Sequence, residues 1–219
     1  MIKKLILISL LTVPCYAMAQ SEWELPETAK AQTEKTSAQN TGTPKKEKRI
    51  EAKYAAGTVP VVDGKVVFET NISVPGASAD ALYDLAIAAV TEITKQPNQY
   101  ELSRITAVNK NEHIVAAYFE EEMVFSNSLL ARDFTEFRYT LILKCSDGNV
   151  NVVMNRMSYD YEKGRKTHAT YHANKFITDE EAINKKGNKL YRLNGKFRKR
   201  TIDRKDEIFT FVEQKVTGK

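Results

Sequence analysis

From Lys65 to Val74 the chain alternates, with Val66, Phe68, Thr70, Ile72 and Val74 on one side and Val67, Glu69, Asn71 and Ser73 on the other. A repeat of two is the mark of a strand with one buried face, so a strand is predicted here. Pro75-Gly76 ends it. Ser78 then stands where a helix cap belongs, and Leu82, Leu85, Ala86, Ala89 and Ile93 recur at helical spacing until Pro97 stops the run. The spacing predicts a helix with one inward face.

Leu102 to Val108 and His113 to Phe125 read as strands joined by the turn Asn109-Lys110-Asn111-Glu112. Thr135, Phe137, Tyr139, Leu141, Leu143 and Cys145 share one face of the next strand, Ser146-Asp147-Gly148-Asn149 turns the chain, and Val150 to Tyr161 returns. Short connections make these four strands antiparallel neighbours. Beyond Tyr161 the pattern weakens through a polar, basic stretch to about Arg200. Thr201 or Asp203 then caps a last helix, with Asp206 and Glu207 in its first turn and Ile202, Phe209, Val212 and Val216 as its apolar stripe. Strand, helix, four strands, helix describes an α+β fold, a curved antiparallel sheet with two main helices on one face.

Ahead of this domain, Lys3 and Lys4 precede the apolar run Leu5 to Val13, and Ala17-Met18-Ala19 supplies a small-x-small cleavage pattern. Residues 1–19 are therefore predicted to be a secretory signal peptide. The run is too short for a permanent membrane helix, which needs about 20 apolar residues, and no later segment is long enough, so no transmembrane helix is expected after cleavage. Cys15 is the rival feature, a candidate for lipidation, but Pro14 before it argues against that use. If Cys15 leaves with the signal, Cys145 is the remaining thiol and no intramolecular disulfide forms. Residues 20–52 are rich in Glu, Thr, Lys, Gln, Ala and Ser, with Trp23, Leu25 and Ile50 as the large apolar residues. Such a segment cannot offset its ordering entropy and reads as a disordered tether to a domain at 53–219.

The whole chain has 219 residues, 42% hydrophobic and 28% charged, which excludes collagen-like, wholly disordered and multi-span membrane classes. Its net charge of +5 falls to +3 when Lys3 and Lys4 leave with the signal, too little for a general field that dictates an anionic partner.

The stretch Lys53-Tyr54-Ala55-Ala56-Gly57-Thr58-Val59-Pro60-Val61-Val62-Asp63-Gly64-Lys65-Val66-Val67-Phe68 resembles the opening of a family of exported Bacteroidetes proteins, a domain of unknown function with a TBP-like fold. The proline-glycine before the first helix, Ser103-Arg104, the Asp147-Gly148 hairpin and Gly195-Lys196-Phe197-Arg198 through Thr201-Ile202-Asp203 and Asp206-Glu207-Ile208-Phe209 are similar to that family too. The resemblance covers about residues 53 to 216. It implies half of a TBP-like saddle and a cell-envelope address. It implies no activity, and a TBP-like fold is not evidence of DNA binding.

Candidate chemistry is sparse. His168 and His172, four apart with Asp160 and Glu162 nearby, are candidate ligands for a metal-dependent envelope hydrolase. A zincin needs Glu directly after its first His to activate the metal-bound water, and Ala169 stands there. The plainer reading is two polar residues on a solvated segment, and no metal or other cofactor is expected. Cys145 closes an apolar face with no visible base, which suits packing better than nucleophilic catalysis. Glu120-Glu121-Glu122 reads as a solvated edge whose charges alternate faces.

The basic tract is the most unusual feature. Between Lys185 and Lys205 ten basic residues face Asp203 alone, with Tyr191 and Phe197 interleaved. In a cytosolic protein this suggests nucleic acid; export removes that partner and leaves lipid phosphates and acidic glycans. Lys189, Arg192, Lys196, Arg198, Lys199 and Arg200 are the candidate contact residues, and the alternative is a solvated, lysine-rich loop. The sheet face not covered by helices is the second candidate surface. Together these readings describe an exported, non-catalytic binding or structural module, periplasmic or associated with the outer membrane, that contacts an envelope protein or an anionic envelope component.

Overall fold

The computed structural model describes residues 49–128 and 132–219. The segments expected to be a signal peptide and, as far as Lys48, a tether lie outside these residues. A first 3-10 turn, Ala52–Tyr54, leads to a hairpin of β1 (Val61–Val62) and β2 (Lys65–Val66). Asp63 and Gly64 turn it at φ 49° and 72°, the left-handed pair that a two-residue hairpin loop demands. The alternating segment is thus divided: Lys65 and Val66 fold back on Val61 and Val62, and β3 runs from Phe68 to Ser73.

The chain continues through α1 (Ala79–Thr94), β4 (Arg104–Asn109), β5 (Ile114–Asn127), β6 (Arg132–Ser146), β7 (Asn149–Tyr161), β8 (Ala169–His172), α2 (Asp179–Ala182) and α3 (Arg192–Thr217). Six strands form one antiparallel sheet in the order β3-β7-β6-β5-β4, with β8 also on β7. The outer edge of β7 is shared, β3 taking residues 149–154 and β8 taking 158–161. This is an α+β architecture with an antiparallel sheet and few helices.

One sheet face is the core. Val115, Ala117 and Phe119 of β5, Phe137, Tyr139, Leu141 and Leu143 of β6, and Val150, Val152, Met154, Met157 and Tyr159 of β7 are buried there. Leu82, Ala86, Val90 and Ile93 of α1 and Phe197, Ile202, Ile208, Val212 and Val216 of α3 complete the same cluster. Ser78 caps α1 by accepting the Ala81 N–H at 3.3 Å, and Asp147 in the β6–β7 turn accepts the Ala79 N–H at 2.8 Å.

The phase of β7 changes midway. Arg138 pairs with Ser158 and Thr140 with Asn155, so Arg156 and Met157 together oppose Tyr139. This bulge lets both Met154 and Met157 face the core across an odd spacing. Arg156 adopts φ 53° to make it, a left-handed conformation that costs a non-glycine residue roughly 1–2 kcal/mol.

The last helix is ten residues longer at its start than the Thr201 cap predicts. It begins at Arg192, and Tyr191, its N-cap residue, supplies no side-chain cap. Two further elements, β8 and α2, lie in the stretch whose periodicity is weak. Among the described residues no helix is long and apolar enough to cross a membrane.

Candidate functional site

Because α3 starts early, most of the basic tract lies on a helix packed against the sheet. Arg198 is 0% exposed. Its guanidinium donates to the carbonyls of Tyr54 at 3.0 Å, Ala55 at 2.6 Å and Ile177 at 2.8 Å, and pairs with Asp179 at 2.7 Å. Burial pushes this guanidinium below its ordinary value despite Asp179. Arg198 therefore clamps the N-terminal segment and offers no surface to a partner.

Lys196 is similarly occupied. Its Nζ lies 2.7 Å from Asp133 and 2.8 Å from the Tyr161 hydroxyl, and 4.6 and 4.3 Å from the ring centroids of Phe125 and Tyr161. Lys199 reaches Glu51 at 3.7 Å and Arg200 pairs with Glu207 at 2.8 Å. Lys189, in the turn before α3, and Arg192, in its first turn, are exposed. Only this beginning of the tract faces solvent without a carboxylate partner among the described residues.

The acidic triplet also differs from the expected solvated edge, because β6 pairs with it on one side and the segment 98–100 bonds to its backbone on the other. Glu120 and Glu121 are buried on opposite faces. On the helix side, Glu121 accepts Arg204 Nε at 2.7 Å and Nη2 at 2.9 Å, the Tyr139 hydroxyl at 3.2 Å, and the Gln99 side-chain amide. Burial opposes the Arg204 charge, yet Glu121 outweighs it and holds the guanidinium above its ordinary range.

The opposite sheet face is not covered by α1 or α3. Its side chains form rows across the strands, since directly opposed residues share a face. Arg104, Tyr118, Thr140 and Asn155 make one row across β4, β5, β6 and β7. On one side of it Glu120, Arg138, Ser158 and His172 form the next, followed by Glu122, Glu136, Asp160 and Thr170. Arg138 unites these two rows by pairing with Glu120 at 2.7 Å, Glu136 at 3.2 Å and Asp160 at 2.5 Å. On the other side lie Ala116, Ile142 and Val153. The face thus grades from paired charges to an apolar centre.

A hollow of about 650 Å³ occupies that centre, lined by Ala116, Tyr118, Thr140 and Ile142 of the two middle strands and by Arg104 and Arg156 of their neighbours. No carboxylate lines it. A second pocket of about 500 Å³ lies along the outer edge of β7, where neither β3 nor β8 pairs with residues 155–157. Arg156 borders both. The Asn155 Oδ1 at this second pocket is buried without a hydrogen-bond partner, a loss of about 1–3 kcal/mol for such an acceptor.

The histidine pair is not assembled into a metal cage. His172 ends β8 and His168 immediately precedes it, and four residues of extended chain put their backbones about 13 Å apart. On a helix the same spacing would bring them together. His168 lies 3.6 Å from Asp160, whose carboxylate already accepts Thr170 and Arg138. Among the described residues no three His, Cys, Asp or Glu side chains converge as a metal site. Cys145 is buried, and burial pushes its thiol up to about 11.

Residues 68–160, from β3 to the end of β7, match the family model described as a domain of unknown function (DUF4468) with TBP-like fold. A crystal structure of a DUF4468 family protein from Bacteroides ovatus is 34% identical to this chain, with 75% of this chain and 93% of that one covered and a TM-score of 0.70. The chain belongs to the DUF4468 family. A TBP-like protein from Parabacteroides distasonis, 18% identical over 72% of this chain and 96% of its own with a TM-score of 0.58, shares the fold. The comparison with curated proteins finds no match. The family match takes in β3 to β7 and α1 but neither β8 nor α3, so it covers most of the open face and leaves out the basic tract.

Proposed function

We propose that this DUF4468 protein is an exported, non-catalytic binding or structural module of the cell envelope whose contact surface is the open face of the sheet. The observation that carries the reading is the central hollow, where an apolar and aromatic floor sits between Arg104 and Arg156 without a carboxylate to neutralise them. Apolar surface rimmed by polar groups is the usual composition of a recognition site. The leader-like residues 1–19 support export, and the exposed Lys189 and Arg192 supply a smaller electrostatic contact that salt weakens.

The test places a photo-crosslinking residue at Thr140 or Ile142 on the open face, or at the exposed Asp84 on α1, in the full chain expressed in its native cell. A defined adduct from the two sheet positions, absent from Asp84 and abolished by Tyr118→Ala, is expected in the envelope fraction. Equal labelling from both sides of the domain, or recovery of the chain in the cytoplasm, overturns the reading.

A further inference from the structure

The pocket on the outer edge of β7 is distinct in composition from the open-face hollow. Lys65 of β2, Arg156 of the β7 bulge and His172 at the end of β8 all line it, so three separate strands each deliver a nitrogen base or cation to one place. No carboxylate lines the pocket, and none of the three makes an ion pair among the described residues. Arg138, Arg198 and Arg204, by contrast, each pair with a carboxylate of the same domain.

Two further features suit a ligand. The edge of β7 is unpaired at residues 155–157, and backbone groups on such an edge are ready hydrogen-bonding partners. Val66, Val67 and Met157 give the pocket an apolar wall beside its charges. Arg156 holds its place at the cost of a left-handed backbone, while the other non-glycine residues with positive φ, Asp63, His113 and Glu162, lie outside strands in the described residues. Backbone strain of this kind concentrates at binding sites.

We propose that the cleft between β2, the β7 bulge and β8 binds a phosphate monoester carried on a small apolar or ring-shaped body, with Lys65 and Arg156 as the anion contacts. Two permanent positive charges beside an imidazole match a ligand of charge near −2, which a phosphate monoester carries at neutral pH and a monocarboxylate does not. Arg adds a planar fork that fits phosphate oxygens, and Lys a point charge. The proposal goes beyond the open-face reading and shares Arg156 alone with it.

Phenyl phosphate, inorganic phosphate and benzoate are each titrated into the purified chain and followed through its backbone amide NMR signals. Phenyl phosphate is expected to shift residues 65–67, 155–158 and 172–174 saturably, about ten-fold more tightly than benzoate or inorganic phosphate. Binding weakens as salt rises. Lys65→Ala and Arg156→Gly each lower the affinity about ten-fold, and Arg156→Gly does so with an unfolding midpoint at or above that of the native chain, because glycine accepts the left-handed backbone freely. Binding of phosphatidate vesicles that Lys65→Ala abolishes assigns the monoester to a lipid headgroup; phenyl phosphate binding without vesicle binding assigns it to a soluble molecule. Equal affinity for benzoate or inorganic phosphate, or unchanged binding in both variants, overturns the proposal. Shifts confined to residues 104–106, 116–118 and 140–142 also overturn it while leaving the open-face reading intact. Pocket binding by a chain whose Thr140 cross-links nothing leaves the pocket standing alone.

Discussion

Arg204 on α3 and Glu121 on β5 meet inside the protein through two parallel hydrogen bonds of 2.7 and 2.9 Å. Glu121 is 1% exposed and Arg204 8%, so water offers little alternative to the pairing, above all for the carboxylate. Removing one member of a buried pair leaves the other uncompensated, at about 3–5 kcal/mol. Arg204→Ala is therefore expected to lower the urea unfolding free energy by about that amount. The double change Glu121→Leu with Arg204→Met should recover only part of the loss, because it removes the stranded charge but leaves the buried Tyr139 hydroxyl and the Gln99 amide without their acceptor. A single variant as stable as the native chain would show that the pair contributes nothing.

Arg198 and Lys189 separate the structural from the exposed part of the basic tract. Arg198 joins α3 to the carbonyls of Tyr54, Ala55 and Ile177, a fan of donors that a lysine cannot reproduce. Arg198→Lys should cost about 2–4 kcal/mol through carbonyls left without donors, read as a lower thermal midpoint. Lys189→Ala, on an exposed turn, should stay within about 0.5 kcal/mol of the native chain.

These two residues also show what the sequence makes legible. The strand periodicity of β5, β6 and β7, the Ser78 cap and the Asp147-Gly148 turn are local signals, and each sits where the pattern indicates. The start of α3 has no such signal, since Tyr191 has no capping side chain and Gly195 with a dense run of charge resembles a loop. The partners of its charges, Asp133, Asp179 and Glu121, come from β6, α2 and β5, so only the tertiary fold reveals that Lys196, Arg198 and Arg204 are paired. The same applies to the sites. The uncovered sheet face follows from strand alternation and helix placement, whereas the β7 edge pocket depends on a bulge and a gap between β3 and β8 that no spacing rule encodes.

Gly195 tests the close packing at the start of α3. A Cβ placed there would lie 2.6 Å from the Leu190 Cβ, an atom fixed close to its own backbone. Gly195→Ala gains up to about 1 kcal/mol of helix propensity but must push Leu190 and its turn away, and overpacking of this kind costs about 1–3 kcal/mol. The expected net result is a lower unfolding midpoint by thermal melt. Leu190→Ala does not relieve it, because the clash is with the Cβ that alanine retains, whereas Leu190→Gly combined with Gly195→Ala should remove that contact.

Acid stability follows from carboxylates held below their ordinary values. Burial would raise Asp160, but hydrogen bonds from Thr170 and Arg138 outweigh it and the net direction is down. Glu207 is lowered against its own burial by Arg200 and Arg204, and Asp206 by Lys205 and Lys53. In the unfolded chain these groups return to ordinary values of 3.8 for Asp and 4.5 for Glu. Their stabilisation is therefore present above those values and disappears as pH falls through the lower folded ones. Asp160, the most buried of the three, carries the largest share, since solvent screens the more exposed pair. The urea midpoint should hold between pH 7 and pH 5 and drop below about pH 4, with a shallower drop in Asp160→Asn. At the alkaline end the direction reverses. The Cys145 thiol, raised from 9.0 to about 11, stabilises the fold fully below 9 and loses that contribution as pH climbs toward 11. A midpoint that rose on acidification, or a fall identical in Asp160→Asn, would be incompatible with ion pairing at Asp160.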